Sequence, residues 1–126
     1  MRRLLLDTNV VVWLLLGDRR SVTNAAREAL EDERNAVSVS AVSVWEIAIK
    51  RSLGKLVIED RWANVLGRLG FDPMPITAIH AEHVEHLPWH HRDPFDRMLV
   101  AQASLEAHAL VSANPHLAAY GVEVVW

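Results

Sequence analysis

Arg3-Leu4-Leu5-Leu6-Asp7-Thr8-Asn9-Val10-Val11-Val12-Trp13-Leu14-Leu15-Leu16-Gly17-Asp18, residues 3–18, is the stretch whose reading decides the fold. Arg3 to Leu6 reads as a short buried strand, and Thr8 to Leu16 as an apolar segment turning helical, ended by Gly17-Asp18. The strand delivers one carboxylate, Asp7, at its C-terminal end. In a parallel sheet that end is where ligand chemistry sits. Asp7 is equally suited to cap the helix that follows, a role Asp, Thr and Asn all fill well.

The same alternation continues outward. Ser21 or Thr23 caps a helix to about Glu33 with Ala25, Ala26, Ala29 and Leu30 on one face, and Ala36 to Val39 is a second strand with Val37 and Val39 alternating against Ser38 and Ser40. Ser40 caps a helix from Ala41 to about Leu53, which Gly54 stops. Asp60 to Leu69 reads as a helix ended by Gly70, and Phe71 to Ile76 as an extended segment broken by Pro73 and Pro75. Thr77 caps a His-rich helix to about His86. Pro94 to about His108 is a helix with Phe95, Leu99, Ala103 and Ala107 on one face. A third buried strand from Ala109 to Ser112, a helical turn from His116 to Tyr120 and a closing strand from Val122 to Val125 complete the chain. Strands alternating with helices predict an α/β fold, a parallel sheet covered on both faces with its site in the loops at the strands' C-terminal ends. There is no internal repeat.

With 126 residues, the chain predicts a single domain able to bury a core without disulfides. It has no cysteine, which removes thiolate metal sites and thiol nucleophiles and is compatible with a reducing cytosol. The clean apolar run Val10 to Leu16 is too short to cross a bilayer, so a soluble, cytoplasmic protein with no membrane contact is expected. A net charge of −3 excludes a globally positive field for nucleic acid. Local basic groups remain at Arg2-Arg3, Arg19-Arg20, Lys50-Arg51 with Lys55, and Arg92 with Arg97. Each is more often a solvated face than a phosphate site.

The acidic residues carry the chemistry. Glu46 lies among Val44, Trp45, Ile47, Ala48 and Ile49, while Lys50, four residues on, offers an ordinary helix-surface ion pair. Its apolar surroundings favour a carboxylate opening into a cleft. Asp93 before Pro94 is a standard helix start, and Asp96 an acid favoured by the helix dipole. Carboxylates beside buried segments are costly unless paired or bound to a cation, so acids far apart in sequence at the edges of apolar elements point to one shared divalent metal. His80, His83 and His86, with His90 and His91 following, are read instead as a solvated face interspersed with Glu82 and Glu85.

The ordered set of segments resembles a PIN-domain ribonuclease of the VapC toxin type over essentially the whole chain. The matching segments are Leu5-Leu6-Asp7-Thr8-Asn9-Val10, Val39 to Lys50, His90-His91-Arg92-Asp93-Pro94-Phe95-Asp96-Arg97-Met98-Leu99, and Leu110-Val111-Ser112-Ala113-Asn114 through Tyr120-Gly121-Val122. The resemblance implies one PIN domain over residues 1–126, a three-layer α/β/α sandwich with a central parallel sheet. It also implies a magnesium-dependent endoribonuclease, with manganese as substitute, acting on RNA and blocked by a cognate VapB-like antitoxin. The family's acids map onto Asp7, Glu46 and Asp96, with Asp93 close enough to share or replace the third role. Many relatives carry a fourth acid in a Thr-x-Asp pattern where this chain has Ser112-Ala113-Asn114, so a carbonyl oxygen replaces a charge. A homodimer is expected on the same resemblance, consistent with five tryptophans and an apolar fraction of 51%.

On this reading Asp7 and Asp96 bind the ion directly, and Glu46 and Asp93 through water or a second ion. Thr8, Asn9, Ser112 and Asn114 orient waters, and Lys50 or Arg97 engages phosphate. The rival from another class is a catalytically weak PIN module that binds RNA or protein. A phosphotransferase with Asp7 as nucleophile ranks lower, because Asp7-Thr8-Asn9 lacks the second aspartate such enzymes use.

Overall fold

The computed structural model describes residues 1–126. Its elements run β1 (Arg3–Leu6), α1 (Thr8–Leu16), α2 (Asn24–Glu31), β2 (Ala36–Ser40), α3 (Ala41–Ser52), α4 (Trp62–Arg68), β3 (Asp72–Met74), α5 (Ala78–His83), α6 (Pro94–Leu105), β4 (Ala109–Val111) and β5 (Val124–Val125), with 3-10 turns at Arg19–Ser21, Val84–His86 and Pro115–Tyr120. All strand pairs are parallel, in the order β3-β2-β1-β4-β5. Leu5 stands at the centre, level with Ser38 on one side and Leu110 on the other. From β1 the chain steps outward to β2 and β3, then returns across the sheet to β4 and β5. The direction of winding reverses between β1 and β4, and a crevice opens beyond their C-terminal ends.

The period of two along the strands sorts side chains into two layers. Leu4, Leu6, Val37, Val39 and Val111 join Val10, Val11, Ala26, Trp62 and Leu66 from α1, α2 and α4. Leu5, Leu110 and Met74 on the other face meet Leu99, Val100 and Ala103 of α6 with Leu87 beyond α5. α3 belongs to both layers. Its Ile47 sits in the first core and its Val42 in the second, and it touches α1 and α6.

Several boundaries differ from the sequence expectation for local reasons. α2 stops at Glu31 because Asp32 turns extended and grips the Arg34 guanidinium with both oxygens, at 3.0 and 2.8 Å. α4 begins at Trp62, since the Asp60 carboxylate is drawn to Arg51 at 2.8 Å. α6 ends at Leu105 rather than near His108, because Ala107 takes a left-handed φ of 54° and the His108 N–H turns back to the Ala103 carbonyl. That conformation is uncommon without glycine. No helix is long and apolar enough to cross a membrane.

Candidate metal and phosphate site

Asp7 follows Leu6, so its side chain emerges on the same side as Leu5, toward α6. It is 5% exposed. Its Oδ1 accepts from the Asn9 N–H at 2.7 Å and so caps α1, while its Oδ2 accepts a short hydrogen bond from Ser112 Oγ beyond β4. One oxygen thus closes the helix, as the sequence allowed, and the other is held by Ser112 at the C-terminal end of the sheet. Burial, aided by the charge of Glu46, holds the Asp7 carboxyl above its ordinary range against the hydrogen bonds from Ser112, Asn9 and Val10.

Glu46 lies on the buried stripe of α3, with Val42 and Ser43 one turn before it. Its carboxylate is buried and pairs with Lys50 at 2.9 Å. The ion pair that the spacing offered is formed, and the carboxylate is buried all the same. Ser43, fully buried, accepts from Thr8 Oγ1 at 3.0 Å and ties the first turn of α1 to α3. Sequence reading passed over Ser43, although its position three residues before Glu46 marked the shared face.

Asp96 extends the stripe of α6 formed by Leu99, Val100 and Ala103, which places it toward the sheet. Burial, then the charges of Asp93 and Asp7, push its carboxyl up to about 6, and the hydrogen bond from His91 opposes them. His91 Nε2 donates to Asp96 Oδ2 at 2.8 Å. Asp93 is the α6 cap, its Oδ1 accepting from the N–H groups of Phe95 and Asp96 at 2.8 and 3.1 Å. Asn114 is likewise a cap: its Oδ1 accepts from the His116 N–H at 3.0 Å, and its own N–H donates to Ser112 Oγ. Asn9 is exposed at the start of α1.

Two expectations are corrected. Arg97 does not face a phosphate. Its guanidinium is buried and donates to the carbonyls of Pro88 at 2.8 Å, Val84 at 3.1 Å and Leu87 at 3.2 Å, with Tyr120 Oη at 3.3 Å. It holds the segment that precedes Asp93. His80 is not on a solvated face. It is buried, donates from Nε2 to Glu106 at 2.8 Å, and accepts at Nδ1 from the Thr77 N–H and from Gln102 Nε2. The packing of α5 on α6 covers it, which its spacing among other histidines did not reveal.

As the side chains stand, no three His, Asp or Glu groups close tightly enough to enclose an ion, Glu46 being drawn to Lys50 and Asp96 to His91. The donor set is nevertheless that of a hard divalent cation: oxygen ligands without thiolates, assembled so that Asp7 senses Glu46 and Asp96 senses both Asp93 and Asp7. The neighbouring acids help raise the Asp7 and Asp96 carboxyls, and a divalent cation among them would offset that repulsion.

Residues 4–123 match the family model described as the PIN domain. Over 64 residues the chain is 36% identical to Ribonuclease VapC16 of Mycobacterium tuberculosis, a match covering 48% of this chain and 45% of that protein. The match thus spans less than half the length of this relative. Among solved structures, VapBC2 from Rickettsia felis, bound to a DNA fragment from its promoter, superposes with a TM-score of 0.72 at 14% identity, covering 97% of this chain and 96% of that one. FitAcB from Neisseria gonorrhoeae gives 0.60 at 21% identity, covering 96% and 95%. At these identities the structural likeness speaks for the fold.

Proposed function

This chain belongs to the PIN-domain family, and from that premise we propose that it is a divalent-metal-dependent endoribonuclease and the toxin of a toxin–antitoxin pair. The observation that carries the reading is the convergence of Asp7 at the end of β1, Glu46 of α3 and Asp96 of α6, with the Asp7 and Asp96 carboxyls raised by burial and by the acids around them. Asp7 and Asp96 would hold magnesium, or manganese in its place, with Glu46 and Asp93 acting from farther out. The chemistry such an ion supplies is activation of water and neutralisation of phosphate charge, and no side-chain nucleophile is needed.

The chain's own groups then have separate tasks. Ser112 fixes the Asp7 carboxylate from β4, and Thr8 with Ser43 fixes the distance between α1 and α3. Lys50, 42% exposed along its side chain, can leave Glu46 for a phosphate oxygen once another cation neutralises the site. Asn9, exposed at the mouth, can orient water. The family resemblance brings a VapB-like antitoxin and a homodimeric state with it. The test is cleavage of RNA by the purified chain with magnesium or manganese. Asp7→Asn and Glu46→Gln are expected to abolish it while circular dichroism still reports the native fold. Near-normal cleavage by either folded variant removes that residue from the mechanism.

One observation favours a second reading, a PIN module that binds without cutting: Asn114 contributes no charge, and its oxygen is spent on the His116 N–H. Absence of metal-dependent cleavage by the wild type, with RNA or protein binding intact, selects it.

A further inference from the structure

Asp96 is flanked by two aromatic groups that the fold holds rigidly yet leaves open to solvent. Phe95 and Arg97 lie about 100° to either side of it around α6. Phe95 meets Trp45 of α3 edge-on, with ring centroids 5.2 Å apart and planes at 69°. Trp45 immediately precedes Glu46 and is 57% exposed. On the other side the Arg97 guanidinium lies 3.9 Å from the centre of the Trp89 ring. One indole face rests on a buried cation and Trp89 is still 76% exposed, so its second face is open. Arg97 is itself anchored by the carbonyls of Val84, Leu87 and Pro88, so the group on which the indole rests is fixed.

An exposed indole is costly in water, and each of these two is seated on a neighbour of Asp96, one of the two proposed metal ligands: Trp45 on Phe95 and Trp89 on Arg97. We propose that Trp45 and Trp89 are the base-stacking platforms that hold the unpaired bases on the two sides of the cleaved bond. Bases in a duplex are stacked on their neighbours and present no free face, whereas unpaired bases stack on aromatic side chains with little regard to sequence. The two residues therefore select for unpaired structure around the cut, and neither touches the reacting atoms. The substrate assignment rests on the nuclease reading above; the stacking itself can be measured without cleavage.

The experiment uses the full chain and a short mixed-sequence RNA, free or annealed to its complement. In chelator, the free strand is expected to quench tryptophan fluorescence and the duplex to leave it unchanged, with the quenching reduced in Trp45→Leu and Trp89→Leu. With metal, each Leu variant should raise KM for the free strand by about tenfold while kcat changes little, and Trp→Phe at the same positions should restore most of the loss. Light scattering and thermal melts on all variants register an interface or folding role. Unchanged KM and unchanged quenching in folded Leu variants overturn the proposal while leaving the nuclease reading intact. Variants that lose a dimer without a change in RNA binding also overturn it, making the tryptophans a protein interface. Quenching by the free strand that depends on both tryptophans, in a wild type that cuts nothing, upholds the stacking and removes the nuclease.

Discussion

Burial, with the charges of Asp93 and Asp7, keeps the Asp96 carboxyl at about 6 against an ordinary 3.8. A group that holds its proton more tightly in the folded chain adds stability below 3.8 and loses that contribution as pH rises through about 6. Asp7 is raised too, so its sign is the same. The metal-free protein is therefore expected to lose stability across this window, and Asp96→Asn to flatten the loss and to melt above the wild type near neutral pH. Thermal unfolding in chelator over a pH series checks it; identical profiles would mean that Asp96 ionises without strain. Asp93 is separated from Asp96 by a different pair of variants. Asp93→Asn keeps a good cap and removes only the charge, so the Asp96 titration should move down toward its ordinary value by NMR. Asp93→Ala also frees the N–H groups of Phe95 and Asp96 and should cost about 1 kcal/mol with or without metal.

Between α5 and α6, the segment carrying His90, His91 and Arg92 has little apolar material of its own, and Arg97 supplies its order. One guanidinium gathers the carbonyls of Val84, Leu87 and Pro88, and Trp89 closes over it. Deleting that donor leaves several carbonyls short of partners, so Arg97→Met should destabilise the protein by about 2–4 kcal/mol. Lysine, with a point charge in place of a planar fork, should recover only part. Urea unfolding at constant m gives the number, and a shift below about 0.5 kcal/mol would show the segment to be ordered by other contacts. His80 does the corresponding work for α5, capping its first turn through the Thr77 N–H and reaching α6 through Glu106 and Gln102. Neither role was legible beforehand. A histidine three residues from other histidines, or an arginine beside aspartates, reads as surface until the neighbouring helix is in place.

On the scale of the whole molecule, carboxylates from three elements must be held together against their repulsion, and a cation that binds only the folded arrangement stabilises it by linkage. Magnesium or manganese at a hundredfold excess over its Kd should add about 2.7 kcal/mol, read as a rise in Tm at fixed ionic strength. Asp96→Asn should gain less, and an equal gain would assign Asp96 to the helix start alone. The sequence by itself determined the elements, the α/β class and the acids to watch: alternation in residues 36–40, the caps at Ser40 and Thr77, and Asp7 after an apolar run all depend on neighbours within a turn or two. Helix ends were less secure, because Asp32 and Ala107 end their helices and Asp60 is left outside the start of α4, through side-chain pairing or backbone geometry that periodicity does not encode. Only the tertiary structure decided which polar groups meet. The reversal between β1 and β4 brings Ser112 to Asp7 across 105 residues, α3 brings Ser43 to Thr8, and the packing of α6 turns Arg97 inward while leaving Asp96 toward the crevice. Burial is set by which element covers a face, and no single stretch of chain carries that information.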